Sequence, residues 1–401
     1  MALAASFDLD VRQYDAVNAF TNAKINRKIF CIPPDGFEEQ DYLWQLDKAL
    51  YGLRASPLLW YKELTKTLQE LDLKPVPNVN CLYHNQKLIV FFYVDDIVML
   101  GRPSYRSYLD QFERKLTKRY EIHIVGDLEF FCGIRVIRNR EEGKIWLCQD
   151  DYINKLATKF VPSKGWSEKR FSSPLPIDEL LPSEDERNIT RLHRYAQIVG
   201  SIGYIANATR PDVAKAHSKL AEFLVNPSDR HLSAALQNLQ YLIQSKDLGI
   251  EYQTSVNIAT SYILEHELDP VFFGASDASY ADDTDTRKSS QGYIFFLFGG
   301  PIDWRATLQR CVTKSTTESE LIAASSAGTE LIWWWRLFEN LGFNPDCPHI
   351  LYCDNKQTVR LVTTEAPKLK TQLKHVDIHN QWLRQEVQNG SINIQWVGTE
   401  A

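Results

Sequence analysis

The sequence has no long apolar run. No stretch approaches the roughly 20 residues that a membrane-spanning helix needs. Its start, Met1-Ala2-Leu3-Ala4-Ala5, lacks the basic opening and extended apolar region of a signal peptide. The seven cysteines contain no Cys-x-x-Cys pair and are odd in number. That argues against a zinc site and a disulfide scaffold and points to a reducing, intracellular setting. A basic excess is also missing. The net charge of −6 is not the usual balance of a nucleic-acid binder, although a cleft can be basic locally. Arg102, Arg106, Arg114, Lys115, Lys118 and Arg119 form one such cluster, read either as a contact surface or as a solvated helix face. No internal repeat or low-complexity tract is evident. What remains is a chain of 401 residues with 44% apolar content, enough for two or three domains.

The most informative stretch is Leu88-Ile89-Val90-Phe91-Phe92-Tyr93-Val94-Asp95-Asp96-Ile97-Val98-Met99-Leu100. An aromatic and β-branched run reads as one strand, the apolar residues beyond as its return, and the two acids as the tip between them. Aspartate is common in turns, so an ordinary hairpin is one reading. Two adjacent carboxylates in an apolar setting are costly unless a divalent cation neutralises them, so a metal-binding hairpin is the other.

Residues 1–160 alternate strand-like and helical stretches. Ser56-Pro57 reads as an N-cap followed by a first-turn proline, with the helix continuing to Leu71. Residues 172–190 are dominated by proline, serine and acids and read as an exposed linker. Residues 191–248 are helical, and Leu232, Leu236, Leu239 and Ile243 make a packing face behind Asn226-Pro227-Ser228. From Val271 onward the pattern predicts a strand carrying Asp277, a strand over 292–298 turning at Gly299-Gly300, and a third over 302–308. A long helix over 316–341 follows, then a strand over 349–353, a short helix, a helix over 375–388 and a strand over 392–397. Three antiparallel strands with a helix, a strand and further helices make an α/β layer domain.

Catalysis by two metal ions needs carboxylates from separate elements to clamp ions about 3.5–4 Å apart. Asp15, at the end of a short extended stretch, supplies a third acid for the hairpin. Here the sequence resembles a known family. The segment RQYDAVNAFTNA is similar to the first catalytic motif of copia-type retrotransposon reverse transcriptases. KALYGLRASPLLWY resembles their next box, FYVDDIVMLG the third, and HIVGDLEFFCGIRV the following palm segment. Four boxes in the family's order are far more specific than any one alone. The resemblance implies that Asp15 and Asp95 hold both metals, with Asp96 as third carboxylate. It also implies that Phe20 blocks the 2′-OH of an incoming nucleotide, and that Tyr51, Gly52 and Arg54 lie near the templating base and that nucleotide. Phe20 reads equally as a core residue, and Gly52 as a backbone requirement.

The C-terminal segments GASDASYADDTDTRKSSQGYIFF, STTESELIAASSAGTELIWWWRLFENLG, YCDN and KHVDI resemble the ribonuclease H domain of the same family. The implied ligands are Asp277, a glutamate of the ESE triplet, and Asp354. Helix geometry selects Glu320 over Glu318, because the positions three and four beyond Glu320 lead along the apolar stripe Ala324, Ala327 and Leu331. Glu318 reads as a first-turn acid favourable to the helix dipole. Asp282, Asp283 and Asp285 read as a solvated run, and Trp333-Trp334-Trp335 as packing rather than base stacking.

The resemblance therefore implies an α+β and α/β multidomain chain. Its expected parts are a reverse transcriptase palm with partial fingers (1–165), a linker (166–190), a helical thumb or connection (191–265) and a ribonuclease H-like domain lacking its last helix (266–401). The implied activity is RNA-directed DNA polymerisation with RNA/DNA-hybrid cleavage, using two Mg²⁺ per site, for which Mn²⁺ is an alternative. The implied partners are an RNA template, a DNA primer, an RNA/DNA hybrid and deoxynucleoside triphosphates, with no membrane. The implied setting is intracellular, either cytoplasmic in a virus-like particle or nuclear. Only fourteen residues precede Asp15, and the chain stops before the family's fourth ribonuclease H aspartate, so impaired activity is expected. Two further classes compete: a non-catalytic nucleic-acid-binding remnant and a non-functional truncated product.

Overall fold

The structure is a computed structural model that describes residues 1–37, 42–184, 186–254, 271–345, 349–364 and 374–398. Contacts divide the chain into two compact units. One is Phe7–Cys132 with Leu337–Phe343; the other is Met1–Ser6, Gly133–Arg336 and Asn344–Ala401. Together they mix helices and sheets in an α+β multidomain arrangement. No helix among the described residues is long and apolar enough to cross a membrane.

A short helix α1 (Ala2–Ser6) opens the chain. The Phe7–Cys132 unit then contains β1 (Asp10–Ala16), the small hairpin β2 (Phe30–Cys31) and β3 (Trp44–Gln45), α2 (Ser56–Glu70), β4 (Lys74–Pro75) and β5 (Leu82–His84). These are followed by β6 (Leu88–Tyr93), β7 (Asp96–Gly101), α3 (Arg106–Arg119), β8 (Ile122–Asp127) and β9 (Phe130–Phe131). Six strands form one sheet in the order β4-β5-β6-β7-β1-β8, with every neighbouring pair antiparallel. β1 is thus an inner strand, and its central residues are buried on both faces. Trp60, Leu64 and Leu68 of α2, at helical spacing, pack with Leu109, Phe112 and Leu116 of α3 and with Tyr14, Val90 and Met99 of the sheet. Their burial makes the sheet a rigid base for whatever its strand ends carry.

Ser56 is not an N-cap. The helix starts at Ser56 itself, and its hydroxyl donates to the Leu50 carbonyl, tying the preceding turn to the helix. Gly52 in that turn has φ +92°, and an added Cβ would meet nothing within 4 Å. Its constraint is conformational, not steric.

In the other unit β10 (Ile134–Asn139), β11 (Lys144–Cys148) and β12 (Ile250–Gln253) pair antiparallel. Between β11 and β12 run α4 (Asp150–Lys159), α5 (Ile189–Ala208), α6 (Ala214–Ala221) and α7 (Asp229–Gln244). Ser228 caps α7 reciprocally with His231. Leu239 is fully buried, and Leu232, Leu236 and Ile243 pack beside it as the helical spacing requires. The proline-rich stretch before α5 is not wholly exposed. Leu180 enters the same core and Leu175 packs on it, while Ile177 points outward. Composition marked the linker, but its few leucines still have apolar surface to bury.

The last layer contains β13 (Phe272–Ser279), β14 (Ser290–Leu297), β15 (Gly300–Leu308), α8 (Thr316–Asn340), β16 (Ile350–Cys353), α9 (Lys356–Thr363), α10 (Lys374–Gln388) and β17 (Asn393–Trp396). The sheet order is β15-β14-β13-β16-β17, antiparallel through β13 and parallel beyond. The β14–β15 turn is Phe298-Gly299, both at positive φ, one residue earlier than the glycine pair suggests. Two positive-φ central residues match a type I′ hairpin.

Candidate active sites

In the first unit the strand ends carry the acids. Asp15 and Asp96 are direct partners across β1 and β7, so their side chains share one face of the sheet. Gln13, two residues before Asp15, lies on that face too and donates from Nε2 to Asp96 Oδ1 at 3.0 Å. Asp95 lies in the turn, and its carbonyl accepts from the Ala16 amide at 2.9 Å. The tip is Val94-Asp95, with Asp96 already the first residue of β7; the two acids do not form the turn together. Val94 takes φ +57°. A β-branched residue rarely adopts such a backbone, and it persists only where neighbours fix it. Trp60 is one such neighbour: its indole N–H donates to the Val94 carbonyl at 2.6 Å.

Charge crowding follows from this geometry. Burial pushes the Asp96 carboxyl up, Asp95 and Asp15 push the same way, and only Gln13 opposes them. Tyr51 senses the same acids. Its phenol is raised by burial, then by Asp95 and Asp15, against the Ala19 main chain. Its ring lies 4.4 Å from the Phe20 ring. Phe20 is 8% exposed and belongs to the core cluster, so packing describes it as well as nucleotide contact does. Arg54 is exposed in the turn before α2. Sequence reasoning missed Gln13 and Trp60. Both lay inside quoted motifs, and a buried tryptophan needs a partner for its N–H, but no pattern says which carbonyl provides it.

The basic cluster on and before α3 is partly neutralised. Arg106 pairs with Asp10 at 3.0 Å, Arg119 with Glu70, and Arg114 donates to the Asp110 carbonyl.

In the other unit, β13 and β16 run parallel with Ser276 opposite Cys353. Asp277 and Asp354 therefore emerge side by side at the same sheet end. Glu320, on the second turn of α8, is 5% exposed; its Oε1 accepts from the Ala278 amide at 3.2 Å, and its Oε2 is buried without a hydrogen-bond partner. Ala324, Ala327 and Leu331 beneath it are fully buried. Burial, then Asp277 and Asp354, push Glu320 up to about 8. Asp277 is raised by partial desolvation and by Asp354, although the residue as a whole is exposed. Glu318 instead serves the helix start: its Oε2 accepts from the Lys314 amide, and its own amide donates to Ser315 Oγ. Cys353 is fully buried beside the acids. Its thiol is pushed up to about 12, chiefly by burial.

Trp396 donates from its indole to the Asp354 carbonyl at 3.0 Å, and Lys356 lies over the Trp396 ring at 3.9 Å. Trp334 bonds Asp303 and Trp335 packs on His349, while Trp333 stays exposed. The acidic run after β13 is solvated only in part: Asp282 and Asp285 are exposed, but Asp283 is buried. Asp283 is 6% exposed and pairs with Lys219 at 2.9 Å, and Asp282 pairs with Lys215 at 2.9 Å. The amide and hydroxyl of Thr286 also donate to Asp283, whose carboxyl lies at about 2. Composition could not reveal these lysines, which lie over sixty residues away in sequence.

Residues 1–166 match the family described as Reverse transcriptase (RNA-dependent DNA polymerase). The whole chain is 30% identical to the retrovirus-related Pol polyprotein from transposon TNT 1-94 of Nicotiana tabacum, covering 30% of that protein. It is 29% identical to the one from transposon RE1 of Arabidopsis thaliana, covering 26% of it. Over its full length the chain is similar to copia-type retrotransposon Pol polyproteins. The chain also aligns over 79% of its length, at 29% identity, with the entire putative transposon Ty5-1 protein of Saccharomyces cerevisiae. It spans less than a third of the two plant polyproteins. A foamy viral protease-reverse transcriptase, solved in complex with an RNA/DNA hybrid, aligns with the full chain and 46% of its own, at TM-score 0.52 and 12% identity. That likeness concerns the fold.

Proposed function

We propose that the chain carries two divalent-cation centres for phosphoryl transfer, one polymerising DNA on an RNA template and one cleaving the RNA of the resulting hybrid. The observation that carries this is the gathering of two separate carboxylate triads, each from distant sequence segments, at the ends of two different sheets. Stable folds do not assemble like charges without a counter-charge. The reading keeps residues 1–165 as palm, 166–190 as linker, 191–265 as helical connection and 266–401 as the ribonuclease H-like part. Residues 255–270 lie outside the described structure.

The donor sets fit hard cations. Both triads offer carboxylate oxygens, which suit Mg²⁺ or Mn²⁺, and the orphaned Glu320 Oε2 is a buried acceptor needing a positive partner. Asp15, Asp95 and Asp96 would hold the ions of the first centre, and Asp277, Glu320 and Asp354 those of the second. When bound, such ions stabilise the attacking and leaving oxygens of an in-line displacement.

The protein's own part is orientation. Gln13 holds one oxygen of Asp96, and Trp60 holds the turn that presents Asp95. Phe20 and Tyr51 pair as an aromatic wall beside these acids, suited to a sugar and base, with Phe20 placed to exclude a 2′-OH. Gly52 and Arg54 belong to the same nucleotide-facing turn. In the second centre the Ala278 amide fixes one Glu320 oxygen and Trp396 fixes the Asp354 backbone. The partners are an RNA template, a DNA primer, deoxynucleoside triphosphates and an RNA/DNA hybrid. The setting is the cytoplasm or nucleus.

The test is extension of a labelled DNA primer on a labelled RNA template with Mg²⁺ and, separately, Mn²⁺. Metal-dependent extension with loss of template supports the proposal. Binding of the hybrid with neither extension nor cleavage under both metals favours a non-catalytic remnant.

A further inference from the structure

Cys353 sits where a soft metal would find it. Its sulfur, a Glu320 carboxylate oxygen and an Asp354 carboxylate oxygen all lie within 4.8 Å of one another. Cys353 is fully buried, and Glu320 is 5% exposed with Oε2 lacking a hydrogen-bond partner. The orphaned oxygen is an observation independent of the thiol, and it marks a place for a cation. Zinc binds sulfur and oxygen in tetrahedral sets with bonds of about 2.0–2.3 Å, and the larger cadmium ion takes the same ligand types at longer distances. Three donor atoms this close, with water at the fourth position, make up such a set. Magnesium takes oxygen almost exclusively and makes no use of the sulfur.

We propose that the Asp277 centre contains an overlapping thiolate–carboxylate site, formed by Cys353, Glu320 and Asp354, that captures Zn²⁺ or Cd²⁺ and thereby excludes the hard cations. Binding exchanges the S–H bond of Cys353, and the O–H bond of Glu320 where that carboxyl is protonated, for bonds to the metal and releases those protons to water, with no change in oxidation state. Two of the three ligands are shared with the proposed magnesium set, so the two occupancies are mutually exclusive. The Asp15 centre differs in kind: among the described residues no cysteine joins its acids in such a cluster. Hybrid cleavage is therefore the activity that zinc held by Cys353 inhibits.

The inhibition arm rests on the ribonuclease reading; the binding arm does not. In the binding arm Cd²⁺ is titrated into the reduced chain and its ultraviolet thiolate-to-cadmium charge-transfer band is followed. Cys353→Ser and Cys353→Ala each remove one cadmium equivalent relative to the unmodified chain. Glu320→Gln, which keeps the thiol, weakens the same equivalent by about tenfold or more. In the inhibition arm zinc is titrated against Mg²⁺-supported hybrid cleavage, each variant being normalised to its own zinc-free rate. The half-inhibiting zinc concentration rises by about tenfold or more in Cys353→Ser. An unchanged cadmium stoichiometry overturns the site. Loss of the band with unchanged zinc inhibition overturns its inhibitory role. If neither Cys353 variant folds, as judged by melting, the Glu320→Gln titration decides, and full retention of the band overturns the proposal. A chain that binds cadmium as described but cleaves no hybrid refutes the ribonuclease reading and leaves the site standing.

Discussion

Trp60, buried in α2, donates its indole N–H to the carbonyl of Val94, the residue that takes a left-handed backbone in the turn before Asp95. One hydrogen bond thus links the hydrophobic core to the one strained residue of the candidate polymerase hairpin. Replacing Trp60 with Phe keeps most of the packing and removes the donor. The net loss in stability is about 1 kcal/mol for one hydrogen bond, while primer extension falls by about tenfold or more because the turn is no longer held in place. Hybrid cleavage is unaffected. Comparing both activities in the same preparation checks this, since equal loss of both would mean general unfolding.

Gln13 makes a sharper distinction. Its amide holds Asp96 Oδ1 at 3.0 Å and is the one contact that opposes the upward push of burial, Asp95 and Asp15 on that carboxyl. In Gln13→Leu the carboxylate loses its donor and binds metal less well. The Mg²⁺ concentration for half-maximal primer extension rises by about tenfold, within the range for residues that orient metal ligands, with a smaller change in rate at saturating metal. A uniform fall in rate with unchanged metal dependence would assign Gln13 to packing alone.

The raised Glu320 carboxyl predicts how stability depends on pH. Its value in the fold is about 8 against an ordinary 4.5. The folded chain therefore binds this proton more tightly than the unfolded chain does. The contribution is fully present below about 4.5 and is lost as pH rises toward about 8. Without divalent cation, the calorimetric melting temperature of this part falls across that window. Mg²⁺ restores it increasingly at the upper end, because the cation binds the ionised form. Glu320→Gln flattens the metal-free profile and abolishes the magnesium effect. A metal-free profile that rises across the window would contradict the sign.

Periodicity and motif order made much of this legible. The β6–β7 pair followed from its aromatic and β-branched run, and the stripe beneath Glu320 from helical spacing. Both survive in the structure, because burial selects apolar residues, on both faces of β7 and along the stripe of α8. What failed to show in the sequence was partnership across distance. The ion pairs of Lys215 and Lys219 with Asp282 and Asp283 join residues 67 and 64 positions apart. Composition alone assigned those acids to solvent. The placement of Cys353 among the acids depends on the parallel register of β13 and β16, which no local pattern encodes. Turn positions slipped by a residue at Val94-Asp95 and Phe298-Gly299, since acids and glycines mark a turn region without fixing which two residues form it.

The central claim is two independent carboxylate centres in one chain, and crossed substitution tests it most directly. Primer extension and hybrid cleavage are read from one doubly labelled substrate in Mg²⁺ for the unmodified chain, Asp95→Asn and Asp277→Asn. Asp95→Asn abolishes extension and leaves cleavage of preformed hybrid; Asp277→Asn does the reverse. Extension that survives Asp95→Asn, or cleavage that survives Asp277→Asn, would contradict the claim.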